Sequence, residues 1–69
     1  MPNIHLLKNK MDDSGMTVVN IAKKAGMLRE TLYNRLDGKG EFKVSEVRGL
    51  TATLNLSKDE RDEIFDLKM

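Results

Sequence analysis

Residues 17–38 read TVVNIAKKAGMLRETLYNRLDG, and this stretch decides the fold. Thr17 is a side chain of the kind that caps a helix, its oxygen accepting from a first-turn backbone N–H. After it, Ile21, Ala22 and Ala25 make a small apolar face at helical spacing. Gly26 stops the helix, because glycine takes the left-handed conformation that a tight turn needs. Residues 28–36 read as the next helix, with Leu32 and Leu36 inward at i and i+4, and Asp37-Gly38 ends it. The two helices meet at Ala25-Gly26-Met27. Ala22 is small where they cross, and Met27 plugs the corner.

Working outward, the flanks are helical too. Asn3 caps a first helix with an apolar stripe of Ile4, Leu7 and Met11, ending near Asp13–Gly15. Beyond residue 38, the loop Lys39-Gly40-Glu41-Phe42 leads into Val44, Val47, Leu50 and Leu54 at helical spacing, with Phe42 as an anchor back to the core. Gly49 lies inside that fourth helix and weakens it by about 1 kcal/mol relative to Ala. Ser57-Lys58-Asp59-Glu60 has the spacing of a capping box, opening a fifth helix from Lys58 to about Asp66 with Ile64 and Phe65 as its apolar contacts. The sequence predicts an all-α single domain over residues 1–69, and within it a helix, a glycine turn and a helix, the pattern of a helix-turn-helix.

Composition excludes several functions. The chain has 69 residues, 39% hydrophobic, with no cysteine and no tryptophan. A chain this short must put most of its apolar side chains into one core, which leaves little room for a walled substrate pocket. Zinc–thiolate sites, disulfides and cysteine nucleophiles are impossible, and one histidine with three serines gives no believable triad. Asp12-Asp13 lacks the spaced oxygens of a calcium loop, and phosphate-binding glycine loops are absent. The sequence predicts no catalysis, cofactor, metal or small-molecule substrate. Apolar runs are too short for a membrane span, the start MPNIHLLKNKMDD has no signal-peptide pattern, and the lack of cysteine suits a reducing cytoplasm.

Twelve basic and eleven acidic residues give a formal charge of +1, but they are unevenly placed. Residues 1–56 carry nine basic and six acidic groups, and residues 57–69 carry three and five. A nucleic-acid reader would turn the first part to DNA and hold the tail away. In the tail, the cluster Asp59, Glu60, Asp62 and Glu63 reads as favourable charge at a helix start.

The chain resembles the Cro-type helix-turn-helix regulators of bacteria and their phages. The resemblance rests on Thr17…Ala22…Ala25-Gly26, on Leu36-Asp37-Gly38, and on the link Leu54-Asn55-Leu56-Ser57. Gly38-Lys39-Gly40-Glu41-Phe42 with Glu46-Val47 and Ile64-Phe65 is similar to small Cro-like proteins of phages of Gram-positive bacteria. The resemblance implies five short helices in a lambda-repressor-like domain. It also implies binding of double-stranded operator DNA in the host cytoplasm, as part of a lysis/lysogeny-type switch. The second helix of the motif would then bring Arg29, Glu30, Tyr33 and Asn34 to the bases. Arg29 suits guanine, Glu30 cytosine N4, and Asn34 adenine or a phosphate. Lys23, Lys24, Arg35, Lys39 and Lys43 would clamp the backbone.

Three residues depart from the family's habit. Val18 stands where a polar residue, often Gln, is usual. Leu28 stands at a cap that is usually polar, and Glu30 puts a negative charge near phosphates. They support a second reading, an antirepressor that binds a repressor protein through Val18, Leu28 and Tyr33. A purely structural αα corner, with the lysines as solubility charges, is the plain alternative to both, and an enzyme comes third after the DNA and antirepressor readings. The tail offers Ile64, Phe65 and Leu67 either to a homodimer or to the monomer's own core.

Overall fold

A computed structural model describes residues 2–67, which form five helices and no strand. These are α1 (Ile4–Asp13), α2 (Val18–Ala25), α3 (Arg29–Leu36), α4 (Val44–Leu54) and α5 (Lys58–Phe65). Lys68 and Met69, the end of the apolar tail, lie outside the described residues.

Side-chain caps set three of the starts. Asn3 Oδ1 accepts from the Leu6 N–H at 3.0 Å, and Thr17 Oγ1 from the Asn20 N–H at 3.1 Å. At α5 the box closes both ways: the Glu60 N–H donates to Ser57 Oγ at 3.1 Å, and the Ser57 N–H to Glu60 Oε1 at 2.9 Å. Gly26 ends α2 with φ of 75°, and its N–H and that of Met27 reach back to the carbonyls of Lys23 and Ala22. Helix α3 starts at Arg29, one residue later than its sequence suggests. Leu28 is extended and caps with its backbone only. Helix α5 ends at Phe65, one residue early, because Asp66 turns left-handed at φ of 57°.

The core takes one fully buried side chain from each helix: Leu7, Ile21, Leu32, Leu50 and Ile64. Met11, Ala22, Ala25, Leu56 and Phe65 complete it. Phe42 packs edge-on to Phe65, with ring centroids 5.1 Å apart, and so ties the loop after α3 to α5. Ile64 and Phe65 are therefore core and not a contact between copies, with exposures of 0% and 6%. The Asn3 N–H donates to the Ile64 carbonyl at 2.6 Å, holding the start of α1 against the end of α5. Leu67, by contrast, is exposed.

The most extensive helix pair is α2 with α4. Gly49 explains how they come so near. A Cβ at residue 49 would overlap the Ala25 carbonyl oxygen and lie 2.9 Å from its carbon. The glycine that weakens α4 as an isolated helix is what lets α2 rest on it. Gly49→Ala should therefore destabilise the fold despite alanine's better helix propensity. We expect a loss of about 1–3 kcal/mol, as for overpacked cores, read as a fall of roughly 5–20 °C in Tm. A rise in Tm would refute the close approach.

An ion pair between Lys10 of α1 and Glu60 of α5 fastens the first helix to the last. The Lys10 ammonium, helped by the Ser57 N–H, holds the Glu60 carboxyl down to about 2. The same contact raises Lys10 above its ordinary 10.5. A lowered acid stabilises the fold above its ordinary value of 4.5 and loses that effect as pH falls toward 2. A raised lysine keeps its effect below 10.5 and loses it at higher pH. In thermal melts, Glu60→Gln should lower Tm at neutral pH, with the gap to wild type closing as pH falls toward 2. The pair is partly solvated, so added salt should also narrow the gap.

Candidate nucleic-acid interface

Helix α3 has a bare face and a fixed face. Arg29, Glu30, Tyr33 and Asn34 are exposed and share one side at i, i+1, i+4 and i+5. Leu32 is fully buried on the other side. Leu28, just before α3, is the most exposed large apolar residue among the described residues at 74%, and Tyr33 is 49% exposed. No side chain caps α3, so the N–H groups of its first turn, at the positive end of the helix dipole, have no side-chain acceptor.

Exposed lysines lie on the segments before and after α3. Lys23 and Lys24 are exposed in the last turn of α2, where their charge also suits the helix C-terminus. Lys39 and Lys43 are exposed in the loop after α3 and at the start of α4.

Arg35 does not join them. It lies six residues after Arg29, on the inner side of α3. Its Nε donates to Glu46 Oε1 at 3.2 Å, and its Nη1 donates to the Lys39 carbonyl at 3.2 Å. Its side chain is only 15% exposed. Arg35 is an internal brace between α3, the following loop and α4, which withdraws it from the phosphate-contacting set.

Glu46, the brace's other half, is the one charged residue buried among the described residues. Its Oε1 also accepts from the Lys43 N–H at 2.9 Å, the carboxylate half of a capping box. Lys43-x-x-Glu46 has the spacing of such a box, a signal that was present in the sequence although lysine cannot supply the other half.

The residues considered for a protein partner divide in two. Val18 and Tyr33 border one groove of about 320 Å³, with Met11, Met16 and Leu36 at its floor and Lys8 at its rim. Leu28 is not part of that groove, and Val18 is half-buried against the core. Among the described residues, no group of three or more His, Asp or Glu side chains is placed to hold a metal ion. Comparison with protein-family models, curated proteins and solved structures finds no match.

The brace has a measurable consequence. Glu46→Ala strands a mostly buried guanidinium and removes the acceptor of the Lys43 N–H. We expect it to cost about 2–4 kcal/mol in denaturant unfolding, near the range for breaking a buried pair. Glu46→Gln keeps an oxygen for the Lys43 N–H and should cost less. Equal losses would mean that Glu46 acts by filling space alone.

Proposed function

We propose that this chain is a lambda-repressor-like, Cro-type regulator that binds double-stranded operator DNA with α3 in the major groove. The observation that carries the reading is the outward face of α3: Arg29, Glu30, Tyr33 and Asn34 stand free of the core, with exposed lysines on the segments before and after the helix. An α-helix with its side chains is about 10–12 Å across, which suits a groove about 12 Å wide. Arg29 supplies two parallel donors for guanine O6 and N7, and Glu30 an acceptor for cytosine N4. Asn34 pairs with adenine or a phosphate, and Tyr33 packs beside them. Lys23, Lys24, Lys39 and Lys43 neutralise phosphates and fix the register. The open first turn of α3 adds donors that favour an anion.

A second reading draws on Leu28 and Tyr33. An apolar side chain as exposed as Leu28, together with a separate groove bordered by Tyr33, favours a repressor protein as the partner of an antirepressor. Leu28→Ser separates the two readings. It should spare DNA binding and weaken a protein complex. Val18→Ser is a poorer probe, because Val18 also packs on the core.

Selection from a randomised duplex pool at about 150 mM salt should recover a two-fold motif. Affinity for it should fall with salt at a log–log slope of about −0.9 per neutralised phosphate. Arg29→Ala should lose about 1–3 kcal/mol of discrimination at one base position, whereas Lys39→Ala should weaken all sequences alike. Folded protein that enriches no sequence would overturn the DNA reading. Equal loss on specific and random DNA would remove Arg29 from the base contacts.

A further inference from the structure

Residues 37–43 join α3 to α4 without helix or strand, and they carry Lys39 and Lys43. Both lysines are exposed, and neither is in an ion pair among the described residues. A lysine reaches a phosphate only from where its backbone stands, so whatever fixes that backbone also fixes the reach. At the α3 end, the Asn34 carbonyl accepts from the Lys39 N–H at 2.8 Å. Residues 40–42 then make no backbone–backbone hydrogen bond among the described residues.

Side chains hold this stretch instead. Arg35 Nη1 donates to the Lys39 carbonyl at 3.2 Å, and Arg35 Nε donates to Glu46 Oε1 at 3.2 Å. The same Glu46 oxygen accepts from the Lys43 N–H at 2.9 Å. One ion pair therefore grips the peptide group that follows Lys39 and the one that precedes Lys43. Between the two grips the chain runs against the guanidinium. A Cβ at Gly40 would lie 2.5 Å from Arg35 Nη1, and the φ of 78° there is one that glycine adopts freely. Phe42, against Phe65, pins the loop from its other side. Arg35 and Glu46 are themselves 15% and 9% exposed at their side chains, and they neutralise each other. We propose that Arg35 and Glu46 are positioning residues that preset Lys39 and Lys43 for the DNA backbone. A loop ordered before binding spares the complex the cost of ordering it. The inference rests on the reading of these two lysines as phosphate contacts, and on no base contact of α3.

The test is the affinity of the full chain for a random-sequence duplex from about 50 to 200 mM salt. Circular dichroism melts show that each variant is folded at the assay temperature. Lys39→Ala and Lys43→Ala should each reduce the log–log salt slope by about 0.9. Arg35→Met with Glu46→Leu removes the pair as a whole and strands no charge, an exchange that often preserves stability. This folded double variant should lose about one phosphate's worth of slope or more, although both lysines are present. In its background, Lys39→Ala should have less than about half of its wild-type effect, because the contact is already impaired. A pair that only stabilises the fold would move neither readout. Arg35→Lys keeps the charge but loses the fork that serves Glu46 and the Lys39 carbonyl together, so it should show the same non-additivity in smaller measure. It decides the matter if the double variant does not fold. A wild-type slope in the folded double variant, or lysine effects that simply add, would overturn the proposal. So would a wild type with no affinity for random duplex. Random-duplex binding that shows the non-additivity but enriches no sequence on selection would leave this inference standing and overturn only the operator reading.

Discussion

The backbone of Ala25 lies where a side chain at residue 49 would be, and the placement of the second and third helices follows from that contact. Ala25 is the last residue of α2, and Gly26 turns the chain immediately after it. Pressing this end of α2 onto α4 therefore sets the point from which α3 departs. Helix α3 cannot set its own direction, since only Leu32 of its eight residues is buried. Its far end is held separately, through Arg35, Glu46 and the Lys39 carbonyl. Both supports of α3 thus belong to α4: Gly49 through α2 at one end, and Glu46 through Arg35 at the other. The exposed face between them is left free of structural duty.

This economy reflects size. A chain of 69 residues has a large surface for its volume, and one fully buried side chain per helix is a thin core. Truncating any of the five to Ala would cost about 2–5 kcal/mol, a large share of the roughly 5–15 kcal/mol a domain has in total. The perimeter is therefore pinned with polar contacts. Lys10–Glu60 and the Asn3–Ile64 hydrogen bond join the first and last helices, and Arg35–Glu46 joins α3 to α4. Of these, Arg35–Glu46 is the most withdrawn from water, so its loss is the least compensated by solvent.

Much of this was legible in the sequence, for local reasons. Asn3, Thr17 and Ser57 cap through atoms three residues away, and Gly26 ends a helix by its own conformational freedom. The all-helical class followed from apolar spacing. What escaped depended on distant partners. Gly49 reads as a defect until Ala25 is beside it. Arg35 reads as one more surface cation, although its place one turn after the buried Leu32 already set it on the inner side of the helix. Ile64 and Phe65 could serve a core or a dimer equally well until Phe42 and the Asn3 N–H were seen to close over them. For the site itself, spacing showed which side chains of α3 share a face. It could not show that Leu28 would stand so far out, because that follows from an extended cap without a side-chain bond.

The uneven charge along the chain acquires a geometry once the helices are placed. Lys23, Lys24, Lys39 and Lys43 are exposed on the segments before and after α3, while α5 holds most of the acidic groups of residues 57–69. On the proposed reading these two regions do different work. The basic side draws in phosphate, and an acidic α5 would be repelled by the same phosphate.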